Sequence, residues 1–412
     1  MVDDRVDITK LEEHFPVITE EALQALRKRI GKKIESTVEP WVREATADSI
    51  RHYAHGIGDD NPLWTDPDYA ANSRYGTLIA PPTFLYATDR IVSGSVGGLP
   101  GVHAMFAGSD WRWYLPIKVG TRIYTEVYLK DLVEHKTSFA GRAIQQIYHG
   151  DFFDNEGRKL AECDSWCFRT ERATARERGK KYRDLKSRKT YSKEEIERIA
   201  ELYEKEEVRG NNTLYWENVN KGDTLPTILK GPMTVTGFIA FVQGWGGLYI
   251  KSHKLAFQQY QRHHGLGIPN AHGIPDVPER VHWEDEFAQA VGTPGAYDYG
   301  PERVSWMGHL MTNWIGDNGW LSRLHARVVR HNLVGDTLWI SGKVMRKYKK
   351  GSRGYVVCEL VAKNQDGELS CEAEATAILP LKGEESVTNK GRGRETANPS
   401  LKEAIELFGE KL

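Results

Sequence analysis

Disulfides, membrane spans and an excess of either charge are all missing from this chain. Four cysteines in 412 residues (Cys163, Cys167, Cys358 and Cys371) are too few for a disulfide framework. Cys163 and Cys167 lack the second pair that a structural zinc site needs. Acidic and basic residues nearly cancel, 57 against 56, which leaves no global field for nucleic acid or an anionic membrane surface. No apolar run approaches the roughly 20 residues that cross a bilayer, and the mean hydropathy is −0.55. The opening Met1-Val-Asp-Asp-Arg-Val-Asp lacks the charged-then-apolar order of a secretory signal. These absences predict a reduced, cytoplasmic protein with no nucleic-acid and no membrane partner. The length predicts two or three domains.

What is present is a chain in two similar halves. From Glu171 to Glu207 there is almost no apolar patterning, and Arg172 to Lys189 is densely basic. With Tyr182 as its one aromatic before Tyr191, that run reads as a solvated linker rather than a nucleic-acid arm. The expected division is therefore 1–170, a charged linker and helix over 171–222, a second domain over 223–382, and a polar tail over 383–412. In the first half Thr46 precedes Ile50, Tyr53, Ala54 and Ile57; in the second Thr234 precedes Phe238, Phe241, Val242 and Trp245. Both predict a capped helix with one apolar face, buried against something flat. After each come strand-like runs closed by turns, Asp154-Asn-Glu-Gly157 in one half and Gln365-Asp-Gly367 in the other. The predicted fold class is α+β, a helix followed by an antiparallel meander, twice.

Gly58-Asp59-Asp60-Asn61-Pro62-Leu63-Trp64, then Asp66-Pro67 and Ala70, then Gly76-Thr-Leu-Ile-Ala80-Pro81-Pro82 follow the first helix. This stretch resembles the MaoC-type, or R-specific enoyl-CoA hydratase, family and its dehydratase-type N-terminal subfamily. In the second half the resemblance rests on Val281-His282-Trp-Glu-Asp285 and on Gly292 to Gly300. It implies a tandem (double) hot dog, each half an antiparallel sheet wrapped around a long helix. The implied activity is reversible addition of water to the α,β double bond of an acyl-CoA thioester. An Asp and a His about five residues apart then hold the water, and backbone N–H groups at a helix N-terminus polarise the thioester. Proton transfer from positioned groups contributes roughly 10²–10⁴-fold.

The sequence departs from that pattern in both halves. The family's His position is Trp64 in the first half, which predicts a retired half whose Asp59, Asn61 and Trp64 help bind substrate. In the second half His282 stands at the His position, the residue matching Asp59 is Gly247, and an insertion over Leu248–Pro275 intervenes. The expected catalytic set is His282 with Asp276, or with Asp285 or Asp298 in its place, Asp298 lining the site beside Tyr297 and Gly300. The bland alternative makes His282 a helix cap. The insertion histidines His253, His263, His264 and His272 lie among glycines and are not expected to hold metal. No cofactor is expected. The aromatic residues near the motifs suit a bulky or branched acyl group. Two other classes stay open: a non-catalytic acyl-CoA-binding partner subunit, and a thioesterase of the same fold. Homo-oligomerisation is compatible with either.

Overall fold

The computed structural model describes residues 17–35, 39–99, 102–137, 141–170 and 188–383. The basic run up to 187 and the polar tail from 384 lie outside these residues. Six helices of two turns or more are used below: α1 (Glu20–Arg27), α2 (Ala47–Gly56), α3 (Lys193–Glu204), α4 (Val235–Trp245), α5 (His253–Arg262) and α6 (Gly300–Ile315). The main strands are β1 (His103–Trp113), β2 (Tyr124–Thr137), β3 (Gly141–Phe153), β4 (Lys159–Thr170) and β5 (Thr224–Lys230). They continue with β6 (Trp320–Val328), β7 (Leu338–Lys350), β8 (Arg353–Asn364) and β9 (Leu369–Leu379).

The six strand runs read from the sequence join β1, β5 and β6, which were not read, in one antiparallel sheet of nine strands in the order β2-β3-β4-β1-β6-β9-β8-β7-β5. The two halves are joined edge to edge by β1 and β6, which pair Asp110 with His325 and Trp111 with Leu324. Closing each half's open edge on the other removes two exposed edges. Gly108 sits at the bulge in β1 with φ near +150°, and a Cβ there would stand 2.3 Å from the Ala326 carbonyl oxygen. The same turn closes both terminal hairpins. Asp154 Oδ1 accepts from the Glu156 and Arg158 N–H groups, and Asn364 Oδ1 accepts from those of Asp366 and Glu368.

The two capped helices form where the apolar spacing predicts them. The Thr46 hydroxyl accepts from Ser49 N and the Thr234 hydroxyl from Gly237 N, caps that contribute about 1 kcal/mol each. Their burial differs from the expectation. They pack on each other, not on a flat sheet. A Cβ on Gly56 would lie 3.0 Å from Ala240 O, and one on Gly244 would lie 2.5 Å from His52 O. Each of these pairs, 56 with 244 and 52 with 240, is separated by the 188 residues that also separate the caps Thr46 and Thr234. The contact is thus self-complementary, like a two-fold dimer interface folded into one chain.

The element lying on the sheet in the second half is α6. Its sixteen residues carry a fully buried row of Val304, Met307, Leu310 and Met311. In the first half the corresponding place is taken by a 3₁₀ turn, Pro82–Ala87, and the chain that follows it, tied down by Tyr86 Oη to Ser109 and Ser165 Oγ to Val92 O. Each element starts with a proline in its first turn, Pro82 and Pro301, where the missing N–H costs nothing. The segment from about 253 to 298 carries α5 and short pieces around a small apolar cluster of its own, including Ile268, Val281 and Phe287. Among the described residues no helix is long and apolar enough to cross a membrane.

Candidate active site between the two halves

The first-half motif folds as its residue types dictate. Gly58 turns the chain out of α2 with φ near +63°, and Asp59 follows with its carboxylate accepting from Asn61 N at 3.1 Å. The Asn61 side chain in turn caps the single helical turn Pro62–Thr65 by accepting from Leu63 N. Trp64 is buried behind Asp59. Its indole Nε1 meets no partner in hydrogen-bond geometry, yet stands close enough to favour the Asp59 carboxylate.

His309 and Lys230 of the second half also bear on Asp59. His309, on α6, places Nε2 3.6 Å from Asp59 Oδ1 and 3.3 Å from Glu206 Oε1. Asn313, one turn further along α6, lies 3.0 Å from Nε2. Lys230, the last residue of β5, buries its ammonium against the end of α2. Its Nζ lies 3.0 Å from Ile57 O, 2.9 Å from Gly58 O and 2.8 Å from His309 Nδ1. Sequence reading gave Lys230 no role and took His309, on the helix expected over Pro301–Ile315, for a satisfied core or interface histidine.

Burial dominates the titration of this cluster. It pushes Asp59 up to about 7, against the pull of the Asn61 N–H and the Lys230 charge. Burial also raises Glu206, with Lys230 opposing. His309 is driven well below its ordinary value by burial and then by the Lys230 charge. Lys230 is lowered by burial, with Glu206 and Asp59 opposing. A carboxyl group that titrates near neutrality can both take and give a proton at working pH, which is the property acid–base catalysis needs.

Beside the cluster is a small, partly open cavity of about 40 Å³. Asn61, Trp64 and Trp113 line it from the first half, and Thr312, Ile315 and Trp320 from the second. Its lining is mainly apolar and aromatic; Asp59 and His309 do not line it, but Asn61 and Thr312, close to them in sequence, do.

The residues expected in the second half gather differently. His282 Nδ1 donates to the Tyr297 carbonyl at 2.7 Å, and its ring stacks on Tyr299 with centroids 3.7 Å apart. Burial and the Arg303 charge hold it neutral, near a pKa of about 3. Asp276 is not brought to it. That carboxylate accepts from Val277 N and lies 4.0 Å from Arg280. Asp285 accepts from Ala296 N and pairs with Arg188. Asp298 is fully buried, paired with Arg303 at 2.8 Å and accepting from Asn332 at 2.6 Å; burial raises it to about 6. Tyr297 packs against His331, and a Cβ on Gly300 would meet the Phe106 ring at 2.3 Å. Of the insertion histidines, none falls in a group of three metal-ligating side chains among the described residues.

Matched through the same internal repeat, the opposite interface carries other chemistry. Gly247 stands 188 residues after Asp59, and Arg90 lies as far beyond Pro82 as His309 lies beyond Pro301. Arg90 donates to Trp245 O, the C-terminal end of α4, at 2.9 Å. Its charge faces buried Glu279, which accepts from Leu248 N and Tyr249 N.

A solved structure described as a MaoC-like dehydratase superposes on this chain with a TM-score of 0.60, covering 86% of this chain and 99% of the other at 17% identity. A Mycobacterium tuberculosis protein described as having a double hotdog fold matches with a TM-score of 0.50 and 10% identity, over 84% of this chain and 96% of its own. Residues 30–161 match the family model for the FAS1-like, dehydratase domain region. The chain has the double hot dog fold. In this double hot dog the match to the dehydratase-type model falls on the half that carries Asp59 and Asn61. A UPF0336 protein of Streptomyces avermitilis is 29% identical over 122 residues, which is 28% of this chain and 78% of that relative.

Proposed function

We propose that this double hot dog is a hydratase or dehydratase acting on an enoyl-CoA or 3-hydroxyacyl-CoA thioester, with its chemistry at the interface that holds Asp59 and His309. The observation that carries this reading is the 3.6 Å approach of His309 Nε2 to Asp59 Oδ1 beside an apolar cavity built by both halves. The His missing from the motif at Trp64 is replaced, in space, by one from the other half. The dehydratase-type match over residues 30–161 supports hydratase or dehydratase chemistry in the broad sense.

In the hydration direction the Asp59 carboxylate takes a proton from water as its oxygen adds to the β-carbon. The α-carbon receives a proton from the His309 Nε2 side. Asp59 then returns its proton to Nε2 across the short gap between them, and the pair is reset. Dehydration runs the same steps backwards. The acyl group enters at the cavity between Trp64, Trp113 and Trp320, whose aromatic walls suit an apolar chain. This reading reverses the expectation of a retired first half and moves the reacting pair away from His282, Asp276 and Asp298.

A second reading has support of its own. Trp64 replaces the family's His, and Pro81 and Pro82 bring no N–H to the loop that should polarise the thioester. Both fit a non-catalytic acyl-CoA-binding subunit. The deciding experiment follows loss of enoyl absorbance over linear, branched, aromatic and cyclic enoyl-CoAs, with wild type, Asp59→Asn, His309→Gln and His282→Ala. Loss of turnover in the first two variants and retention in the third supports the proposal. Acyl-CoA binding without turnover on any substrate selects the binding-subunit reading.

A further inference from the structure

The catalytic reading leaves one group unexplained, a lysine buried in the middle of the interface. Lys230 is 6% exposed, far from the solvated state its ammonium prefers, and burying it without partners is strongly unfavourable. It is not part of the family motif and lies about 170 residues from it in sequence, as the bonds to Ile57 and Gly58 record.

An ammonium has three N–H groups, and Lys230 has three partners within 3.0 Å: Ile57 O, Gly58 O and His309 Nδ1. Two of these are carbonyls and can only accept. The third N–H therefore points at Nδ1, which accepts through its lone pair. A neutral imidazole accepting at Nδ1 carries its proton on Nε2. The other side of the ring agrees, since Nε2 faces the carboxylates of Glu206 at 3.3 Å and Asp59 at 3.6 Å, where a bare lone pair would be repelled. The neutral-amine alternative, with Nδ1–H donating to Lys230, would set that lone pair against both.

Resting on the proposed hydratase reading, we infer that Lys230 is a positioning residue that fixes the proton of His309 on Nε2, toward Asp59 and the reacting carbons, and restores it during turnover. As Nε2–H passes to the α-carbon, an N–H of Lys230 moves to Nδ1, so the imidazole stays neutral and never becomes an imidazolate. When Asp59 gives its newly gained proton to Nε2, Nδ1 returns its own to Lys230. Protons balance over the cycle: water loses one to Asp59, the α-carbon gains one from His309, and the ring and lysine end as they began. The charged groups bearing on Lys230 are Glu206, Asp59, Glu302 and Asp60, all acidic, and they oppose the lowering that burial imposes. A protonated Nε2 also requires Asn313, whose Nδ2 stands 3.0 Å from Nε2 and donates to Glu206 Oε1 at 3.3 Å, to give up that bond and turn its otherwise unpartnered Oδ1 toward the ring.

The test is ¹⁵N NMR of the full chain labelled at histidine, with the His309 signal assigned by its loss in His309→Gln. The expected wild-type spectrum shows His309 neutral with the proton on Nε2; a proton on Nδ1 overturns the inference without any lysine variant. In Lys230→Met the tautomer is expected to become mixed and kcat to fall about 100-fold, within the range for a mispositioned acid–base group, while KM stays within a few-fold. Lys230→Gln, which keeps an N–H donor, is expected to recover the tautomer and part of kcat. If Asp59→Asn and His309→Gln lose turnover but Lys230→Met keeps wild-type kcat, the lysine inference fails and the hydratase reading stands. If Asp59→Asn and His309→Gln keep turnover, the site itself is wrong.

Discussion

The chain presents two interfaces related by its internal repeat, and they have been given opposite contents. On one, the turn after α2 carries Asp59 and Asn61, and α6 answers with His309 and Asn313. On the other, the turn after α4 carries Gly246 and Gly247, and the first half answers with Arg90, whose guanidinium closes the end of α4 and faces Glu279. The first holds a carboxyl group displaced to about 7 next to an aromatic cavity. In the second the buried acid, Glu279, is satisfied by two backbone N–H groups. A homodimer must build the same site twice. A fused pair can keep chemistry on one side and spend the other on holding the halves together.

The largest effect should come from breaking the reactive side alone. Asp59→Asn and His309→Gln are each expected to lower hydration turnover by about 10²–10⁴-fold. Arg90→Met and His282→Ala, on or near the other side, are expected to leave turnover per folded molecule within a few-fold. Comparable losses from both sets would erase the distinction between the interfaces.

The shared α2–α4 contact comes next, because there the repeat is symmetric in sequence but not in spacing. A methyl on Gly244 would meet backbone at 2.5 and 2.7 Å, whereas one on Gly56 would meet it at 3.0 and 3.1 Å. Backbone cannot swing aside like a side chain, so both substitutions overpack the contact. Gly244→Ala should cost about 3 kcal/mol and Gly56→Ala about 1 kcal/mol. Guanidinium denaturation of the two variants measures the difference as a shift in midpoint.

The pH dependence of kcat/KM is expected to show an acid limb near pH 7, because the base form of Asp59 is lost as pH falls through that value. The residual activity of Asp59→Asn should lack that limb. For stability the sign is opposite. The folded carboxyl keeps its proton at pH values where the unfolded one, near 3.9, has released it. The contribution of Asp59 is full below that value and is lost as pH rises through about 7. Thermal unfolding of wild type and Asp59→Asn between pH 4 and 8 separates this group from the rest.

Much of the fold was legible because it is local or repeated. The Thr46 and Thr234 caps, the strands after Gly120 and Gly335, and the Asp154 and Asn364 turns are each set by residues within a few positions. β1 and β6 were not read as strands, since Gly108 interrupts the alternation of one and Arg323, His325 and Arg327 alternate on a short run in the other. The packing of α2 on α4 was hidden for a different reason: an apolar face says that a helix is buried, but not against what. Asp59, Asn61 and Trp64 were recognised by their order, while their partners were not, because Lys230 and His309 come from the other half and no sequence spacing connects them. The His position of the second half's resemblance pointed instead to His282, whose Nδ1 is held by the Tyr297 carbonyl and whose expected carboxylate lies with Arg280.

The smallest effect sharpens what Trp64 is for. It occupies the position of the family's His, yet it lines the cavity, and its indole N–H lacks a hydrogen-bond partner while still facing Asp59. If it is a wall, Trp64→Phe should leave the pH limb of kcat/KM in place and change only the preference among acyl groups. One ring-sized change in an apolar pocket is worth about 1–3 kcal/mol of discrimination, roughly 10-fold in the ratio of kcat/KM between a bulky and a short enoyl-CoA. If the indole N–H instead supports the Asp59 carboxylate, its loss should move the acid limb upward and leave selectivity alone. Trp320 is the control, since it lines the same cavity from the second half and donates its N–H to Trp113 O, away from Asp59. Trp320→Phe can alter acyl preference but has no route to the limb, so a shift seen with Trp64→Phe and absent with Trp320→Phe assigns the indole to the acid–base side of the interface.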